Sequence, residues 1–439
     1  MMQHRFLAQL GALALVRPEG EVRRVTAGRI EATGPATLLG ALCRIGDGGM
    51  LAQVAAVDAQ GIVLVPLEDG APVALGARVS ATALGANVGV GNGYAGRAVD
   101  ALCRPIDGKG TIDANAQAPL RGGAWNTLDR AAPTRVLATG VRAIDGLLTL
   151  GEGQRIGIFA ASGVGKTSLI EQIATGTQSA SGGATRCILC LVGERGREVE
   201  GFWRTLSARH DARRFTIVAA TSDESAAMRA RCVGIALAIA EHWRDAGEHV
   251  LLIIDSVTRL AMALREIGLA AGEPPTVRAY TPGVFAALPR VVERCGAARG
   301  GGAITAVMTV LSETDEVDDP IAETMKSLLD GHIVLSRTLA ERGHFPAIDV
   351  TRSVSRQAAR LMEPAHRTAA RAVAAQLGIY EESRVMIQSG IYQAGSAPEV
   401  DAAIAGRDAL MTFLQQGQDE WMSVADTVRR LTALGTGRG

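Results

Sequence analysis

The sequence predicts an α/β protein in three parts: a small β-barrel, a central parallel sheet flanked by helices, and a C-terminal helical domain. Three observations carry this. Residues 100–350 alternate between apolar strand-like runs and helical periods, the pattern of a parallel sheet covered on both faces. Residues 22–90 instead read as short β segments between glycine-rich turns, and residues after 357 as polar-faced helices. Between strand run Arg155-Ile156-Gly157-Ile158-Phe159 and helical run Leu169–Ala174 lies Ala160-Ala161-Ser162-Gly163-Val164-Gly165-Lys166-Thr167-Ser168. Strand, glycine-rich loop and helix in that order make a P-loop, so the centre is expected to be a RecA-like P-loop NTPase core.

At 439 residues the chain has room for two or three domains with a substantial core. The expected division is an N-terminal helix at 1–20, a β-barrel at 21–90, the ATPase core at 91–356 and the helical domain at 357–439. In the barrel, strands are expected at Val22–Val25, Leu51–Val57, Gly61–Leu67 and Arg78–Ala83, and the turn-rich Gly89–Gly93 marks the boundary. Phe6–Val16 is apolar but short, is followed by Arg17-Pro18 and lacks a small-x-small cleavage site. It reads as an amphipathic helix rather than a signal peptide. No run reaches the length of a membrane span.

Formal charge is zero and aromatics make up only 3% of residues, which disfavours a stacking platform for nucleic acid. Cys187 and Cys190 form a C-x-x-C without a second pair or a His at zinc spacing, and read as small residues of a buried strand. The free cysteines suit a reducing cytoplasm.

The loop explains the next choices. Gly163 and Gly165 let backbone N–H groups face phosphate oxygens, with Ser162, Val164 and Ser168 completing the cradle at a helix N-terminus. Lys166 would reach the β- and γ-phosphates and Thr167 would ligate Mg²⁺. Lysine is rare here, at Lys109, Lys166 and Lys326 alone among 45 basic residues, and a compact ammonium fits a phosphate cradle better than guanidinium. Asp255 follows Leu251–Ile254, the Walker B form that delivers a carboxylate to the metal, partly through water. Glu194, at the end of the strand after the P-loop helix, is the candidate to orient and deprotonate water. Arg195 is a candidate for transition-state charge and Glu198 for the metal's outer shell. Arg356, well past the core strands, is the candidate arginine finger, and a residue so placed implies action across a subunit boundary.

These residues, with several longer segments, make the chain resemble the type III secretion export ATPases, flagellar and virulence-associated relatives of the rotary ATP synthase catalytic subunit. The segments are Val192-Gly193-Glu194-Arg195-Gly196-Arg197-Glu198, Asp255-Ser256-Val257-Thr258-Arg259, Tyr280-Thr281-Pro282-Gly283-Val284-Phe285, Leu329-Asp330-Gly331-His332 and Gly343-His344-Phe345-Pro346-Ala347-Ile348-Asp349. The match spans roughly residues 90–410, and the family tolerates Ala160 at the first P-loop position. The resemblance implies ATP hydrolysis with Mg²⁺, and a homohexamer with its sites between subunits. It also implies a peripheral regulator, a central stalk protein, the export gate and chaperone–substrate complexes as partners. Nucleic acid is not among them, and the location implied is the cytoplasmic face of the inner membrane. By position it makes Glu194 the catalytic carboxylate, puts Arg195 near the γ-phosphate, gives Arg356 to the neighbour's site, and stacks Phe345 and Tyr392 on adenine. Leu264, Gln357 and Ala397 depart from the family pattern. A rotary synthase or vacuolar subunit is the nearest alternative, followed by a nucleotide-binding scaffold and a RecA-type RNA helicase. The Thr281–Phe285 run and the acidic 312–320 loop favour the export branch.

Overall fold

The computed structural model describes residues 19–68, 72–82, 85–123, 125–179, 185–311 and 319–435. Residues 1–18 of the expected N-terminal helix and most of the acidic 312–320 loop lie outside them, while Glu19 and Gly20, expected in that helix, instead open a strand. The chain opens with six short strands, β1 (Glu19–Thr26), β2 (Arg29–Ala32), β3 (Leu42–Ile45), β4 (Met50–Asp58), β5 (Gly61–Pro66) and β6 (Arg78–Ala81). They close into a barrel in the order β1-β2-β5-β4-β3-β6. Alternation along β4 turns Met50, Ala52 and Val54 inward, where they meet Val22, Ile30, Ile45 and Leu64. Four strands were expected and six are present. The two additions are four residues long, and β2 has only Ile30 and Ala32 fully buried, too few to stand out as a period of two. The Gly89–Gly93 boundary is also more regular than expected, because Asn87–Val90 pairs with Ala116–Pro119.

The central sheet has eight strands on its main path. They are β7 (Ala98–Asp100), β8 (Arg155–Ala160), β9 (Arg186–Glu194), β10 (Phe215–Thr221), β11 (His249–Asp255), β12 (Ala303–Leu311), β13 (Gly331–Leu335) and β14 (Ile348–Ser355). The order is β14-β13-β8-β12-β11-β9-β10-β7, parallel throughout except for the antiparallel edge pair β13–β14. Burial on both faces explains the unbroken apolar runs: every residue from Cys187 to Val192 and from Val250 to Ile254 is fully enclosed. Cys187 and Cys190 belong to that core. Helices α1 (Lys166–Gly176), α2 (Gly196–Ser207), α3 (Ala226–Asp245) and α4 (Val257–Ala271) each follow a strand, and the Ala-rich α3 packs against β9, β10 and β11.

Three further helices, α5 (Pro364–Gln388), α6 (Pro398–Leu414) and α7 (Val424–Gly435), pack on one another at the C-terminus. The segment between α6 and α7 is fastened to the core. The buried Arg142 donates to the carbonyls of Phe413 and Gln415 and to Glu420, while Gln172 of α1 donates to the carbonyls of Gly417 and Glu420. The helical domain is therefore joined directly to the helix that follows the phosphate loop.

Candidate active site

Parallel strands point their carboxyl ends the same way, so the loops after β8, β9, β11 and β12 gather at one edge of the sheet. The phosphate loop leaves β8 there. Gly163 and Gly165 adopt φ of 81° and 87°, left-handed values open to glycine without strain. A side chain on Gly163 would meet open space, whereas one on Gly165 would come within 3.1 Å of the Phe345 ring. Gly165 caps α1, and the first N–H groups of that helix have no acceptor within it, which makes them anion donors. Val164 is buried and anchors the loop, Ser162 and Ser168 are exposed, and Thr167 lies half-buried in the first turn of α1.

Lys166 reaches from this loop between two carboxylates. Its Nζ donates to Asp255 Oδ1 and stands 3.6 Å from Glu194 Oε1. Asp255 is 2% exposed, and Thr309 Oγ1 donates to its Oδ1 at 2.6 Å. Thr309 arrives through register: Ile254 on β11 pairs with Met308 on β12, which places the next residues of the two strands side by side. Glu194, the last residue of β9, is 4% exposed, and its Oε1 accepts no hydrogen bond. Arg259 Nε lies 3.4 Å from that oxygen, and Arg259 Nη1 donates to the Gly193 carbonyl at 2.6 Å. Burial pushes the Glu194 carboxyl above the usual glutamate range, and the nearby Asp255 charge pushes it further. Lys166 and Arg259 oppose that rise and Glu198, half-buried in the first turn of α2, adds to it. Arg195 is exposed at the N-terminus of α2, where its carbonyl accepts the N–H groups of Glu198 and Val199.

Thr309 and Arg259 were given no role by sequence reasoning. Arg259 sits in a quoted segment four residues past Asp255, but its proximity to Glu194 depends on β9 and β11 being neighbours. Thr309 carried no signal at all, since only strand register brings it to Asp255.

The other candidates divide. Phe345 is 42% exposed, lies against Gly165, and is held by the Gln416 N–H donating to its carbonyl at 2.8 Å. Tyr392 is engaged at the start of α6, where its hydroxyl donates to Asp401 Oδ1 at 2.9 Å and lies 3.0 Å from the Ala397 carbonyl. Arg356 follows β14, and the pairings Gly331 with Ser355 and Gly157 with His332 put it beside the start of β8. The phosphate loop begins after Ala160, roughly five strand residues or about 16 Å away. Arg356 is thus exposed at the opposite end of the sheet from its own phosphate loop.

The donor set fits a magnesium nucleotide. Magnesium is held by one or two carboxylates together with substrate phosphates rather than by an all-protein cage. The site offers the Asp255 carboxylate and the Thr167 hydroxyl beside an anion cradle. Glu194 supplies a buried oxygen still free to accept a hydrogen bond.

Comparison with known proteins agrees with this geometry. Residues 140–355 match the ATP synthase alpha/beta family nucleotide-binding domain, and residues 362–433 match the T3SS EscN ATPase C-terminal domain. The chain is 43% identical over 420 residues to the flagellum-specific ATP synthase of Bacillus subtilis, covering 94% of each chain. It is likewise 43% identical over 419 residues to a type 3 secretion system ATPase of Sinorhizobium fredii, covering 94% of this chain and 92% of the relative. Among solved structures, the assembled ATPase EscN of the enteropathogenic E. coli type III secretion system superposes with a TM-score of 0.89 at 38% identity, over 95% of this chain and 100% of that one. The same ATPase has been solved in complex with its central stalk EscO, with a TM-score of 0.85 at 37% identity over 95% of this chain and 100% of that one.

Proposed function

Since this chain belongs to the family of flagellar and type III secretion ATPases, enzymes that hydrolyse ATP to energise type III protein export, we propose how its residues divide that work. The observation that carries the reading is Glu194: a buried carboxylate with one oxygen free of hydrogen bonds, beside Lys166 and at the edge where the phosphate loop opens. Glu194 orients water and accepts its proton, and Lys166 neutralises the β- and γ-phosphates. The α1 N-terminus and the loop N–H groups hold the phosphate chain, with Phe345 against the base. Thr167 and Asp255 hold Mg²⁺, which when bound offsets charge on the phosphate oxygens, and Thr309 fixes Asp255. Glu198 supports the same centre from α2. Arg259 and Arg195 add positive charge on the Glu194 side.

Arg356 completes the neighbour's site rather than its own. Its distance from its own phosphate loop supports this, and so does the assembled state of the EscN relative. The working unit is then a homohexamer with sites between subunits, served by a central stalk protein as EscN is by EscO. A peripheral regulator, the export gate and chaperone–substrate complexes complete the assembly at the cytoplasmic face of the membrane. ATP turnover there serves chaperone release and substrate unfolding. No described helix is long and apolar enough to cross a membrane.

Mixed rings test the reading. Lys166→Ala subunits keep their finger, and Arg356→Ala subunits keep their phosphate loop. Neither homo-oligomer should turn over ATP, while mixtures should recover activity at interfaces that pair the intact loop with the intact finger. Mixtures containing both subunits by mass spectrometry but showing no recovery would overturn the trans finger.

A further inference from the structure

We infer that Asp330 is the positioning residue for the Arg356 finger, and that through Arg155 it ties each subunit's finger to the strand that carries its own phosphate loop. The inference rests on Arg356 acting in the neighbouring site.

Arg356 is held by two contacts from one turn. Its backbone N–H donates to the Asp330 carbonyl at 2.9 Å, and its Nη2 donates to the Lys326 carbonyl at 3.3 Å in the last turn of the helix Pro320–Leu328. Leu329 in that turn is 1% exposed, and the Asp330 N–H donates to the Arg155 carbonyl at 2.8 Å, so the backbone already joins the turn to β8. The Asp330 carboxylate turns that single backbone bond into a fixed geometry. It accepts the Arg155 backbone N–H at 2.9 Å, Arg155 Nε at 3.1 Å and Arg155 Nη2 at 3.2 Å. Arg155 is itself fixed on its far side by Nη1 donating to Glu293 at 2.8 Å. Both partners are mostly buried, with side chains 20% exposed, and the guanidinium fork with a backbone donor defines one geometry rather than a loose ion pair.

Arg155 is the first residue of β8, and Ala160, its last, leads into the phosphate loop. A strand paired on both edges moves as a rigid rod, so a shift at the phosphate loop is carried to Arg155, on to Asp330, and so to Arg356. Strand β8 and this polar chain together join two ends of the sheet that, in this reading, serve two different catalytic sites. Nucleotide state in one subunit would thereby set where its finger stands in the next.

The experiment again uses mixed rings, because they separate the donor of the finger from the donor of the loop. The reference mixture is Lys166→Ala with Arg356→Ala. In the test mixture Asp330→Asn is added to the Lys166→Ala subunit, so the finger donor lacks that carboxylate. In the control mixture Asp330→Asn is added to the Arg356→Ala subunit, which supplies only its loop. Recovered kcat should fall roughly ten- to hundred-fold in the test mixture, with KM for ATP unchanged, and should stay at the reference level in the control. Arg155→Lys, which keeps the charge but loses the fork, should follow the same pattern if Asp330→Asn impairs assembly. Equal recovery in test and reference, or an equal loss in test and control, overturns the positioning role while leaving the trans finger standing. Failure of the reference mixture overturns the finger and this inference with it.

Discussion

At the scale of single residues, the site is governed by one carboxylate that its surroundings keep from ionising easily. Burial and the Asp255 charge hold Glu194 above the ordinary glutamate value of 4.5, and the base works only when deprotonated. The acid limb of kcat/KM should therefore lie above pH 4.5 in the free enzyme; a limb at or below that value would count against Glu194 as the base. The same shift has a consequence for stability. A raised carboxyl pKa stabilises the fold at pH below the unfolded value, and the contribution is lost as pH rises through the folded value. Above that folded value the ionised Glu194 is thus a net burden, so Glu194→Gln should be at least as heat-stable as wild type at alkaline pH while binding nucleotide and failing to hydrolyse it. A lower Tm together with lost nucleotide binding would instead indicate a structural part. Thr309→Val keeps the shape of the side chain but removes the donor to Asp255. Outer-shell losses of this kind cost about 10–100-fold in metal affinity or activity, so the Mg²⁺ concentration for half-maximal turnover should rise.

At the scale of elements, helix ends decide more than helix interiors. The phosphate loop works because Gly165 ends it at φ 87° and leaves the first N–H groups of α1 free for an anion. Alanine would strain the left-handed turn at either glycine, but at Gly165 it would also press on the Phe345 ring, so Gly165→Ala should weaken nucleotide binding more than Gly163→Ala, whose side chain meets nothing. Equal effects in a titration with a fluorescent nucleotide would mean that Phe345 does not bear on the loop. The start of α6 is the opposite case. Ala397, one of the positions that departs from the family pattern, stands at its N-cap in extended geometry with no side-chain hydrogen bond. Asp caps satisfy free helix N–H groups and Ala does not, so Ala397→Asp should stabilise the protein by about 1 kcal/mol. Chemical denaturation would read this directly, and an unchanged midpoint would mean that Asp401 already serves the end.

At the scale of the whole molecule, Arg356 and the phosphate loop lie at opposite ends of one sheet, so under the proposed intersubunit finger a monomer would hold half of each of two sites. Specific activity should rise with protein concentration as rings form. A species shown to be monomeric by light scattering yet fully active would remove the intersubunit reading. The segment between α6 and α7 adds a second long-range tie. It touches Phe345, Gln172 and Arg142 together, so the helical domain is fastened both beside the Phe345 ring and at the helix after the phosphate loop.

Local chemistry by itself determined much of this protein. The strand–loop–helix around Lys166, the carboxylates closing β9 and β11, and the barrel–core–helix succession are all short-range patterns, since glycine freedom, apolar runs and periodicity are properties of a few adjacent residues. What the tertiary structure alone decided is pairing. Strand β2 buries only Ile30 and Ala32, and β3 is four residues without alternation, so neither announces itself and only closure of the barrel calls for them. Thr309 meets Asp255 because Ile254 and Met308 share a register across two strands over fifty residues apart. Asp330 meets Arg155 and Arg356 because β13 runs between β8 and β14. Which residues face each other across a sheet depends on the order of its strands, a global minimum over many weak contacts that no local window of sequence contains.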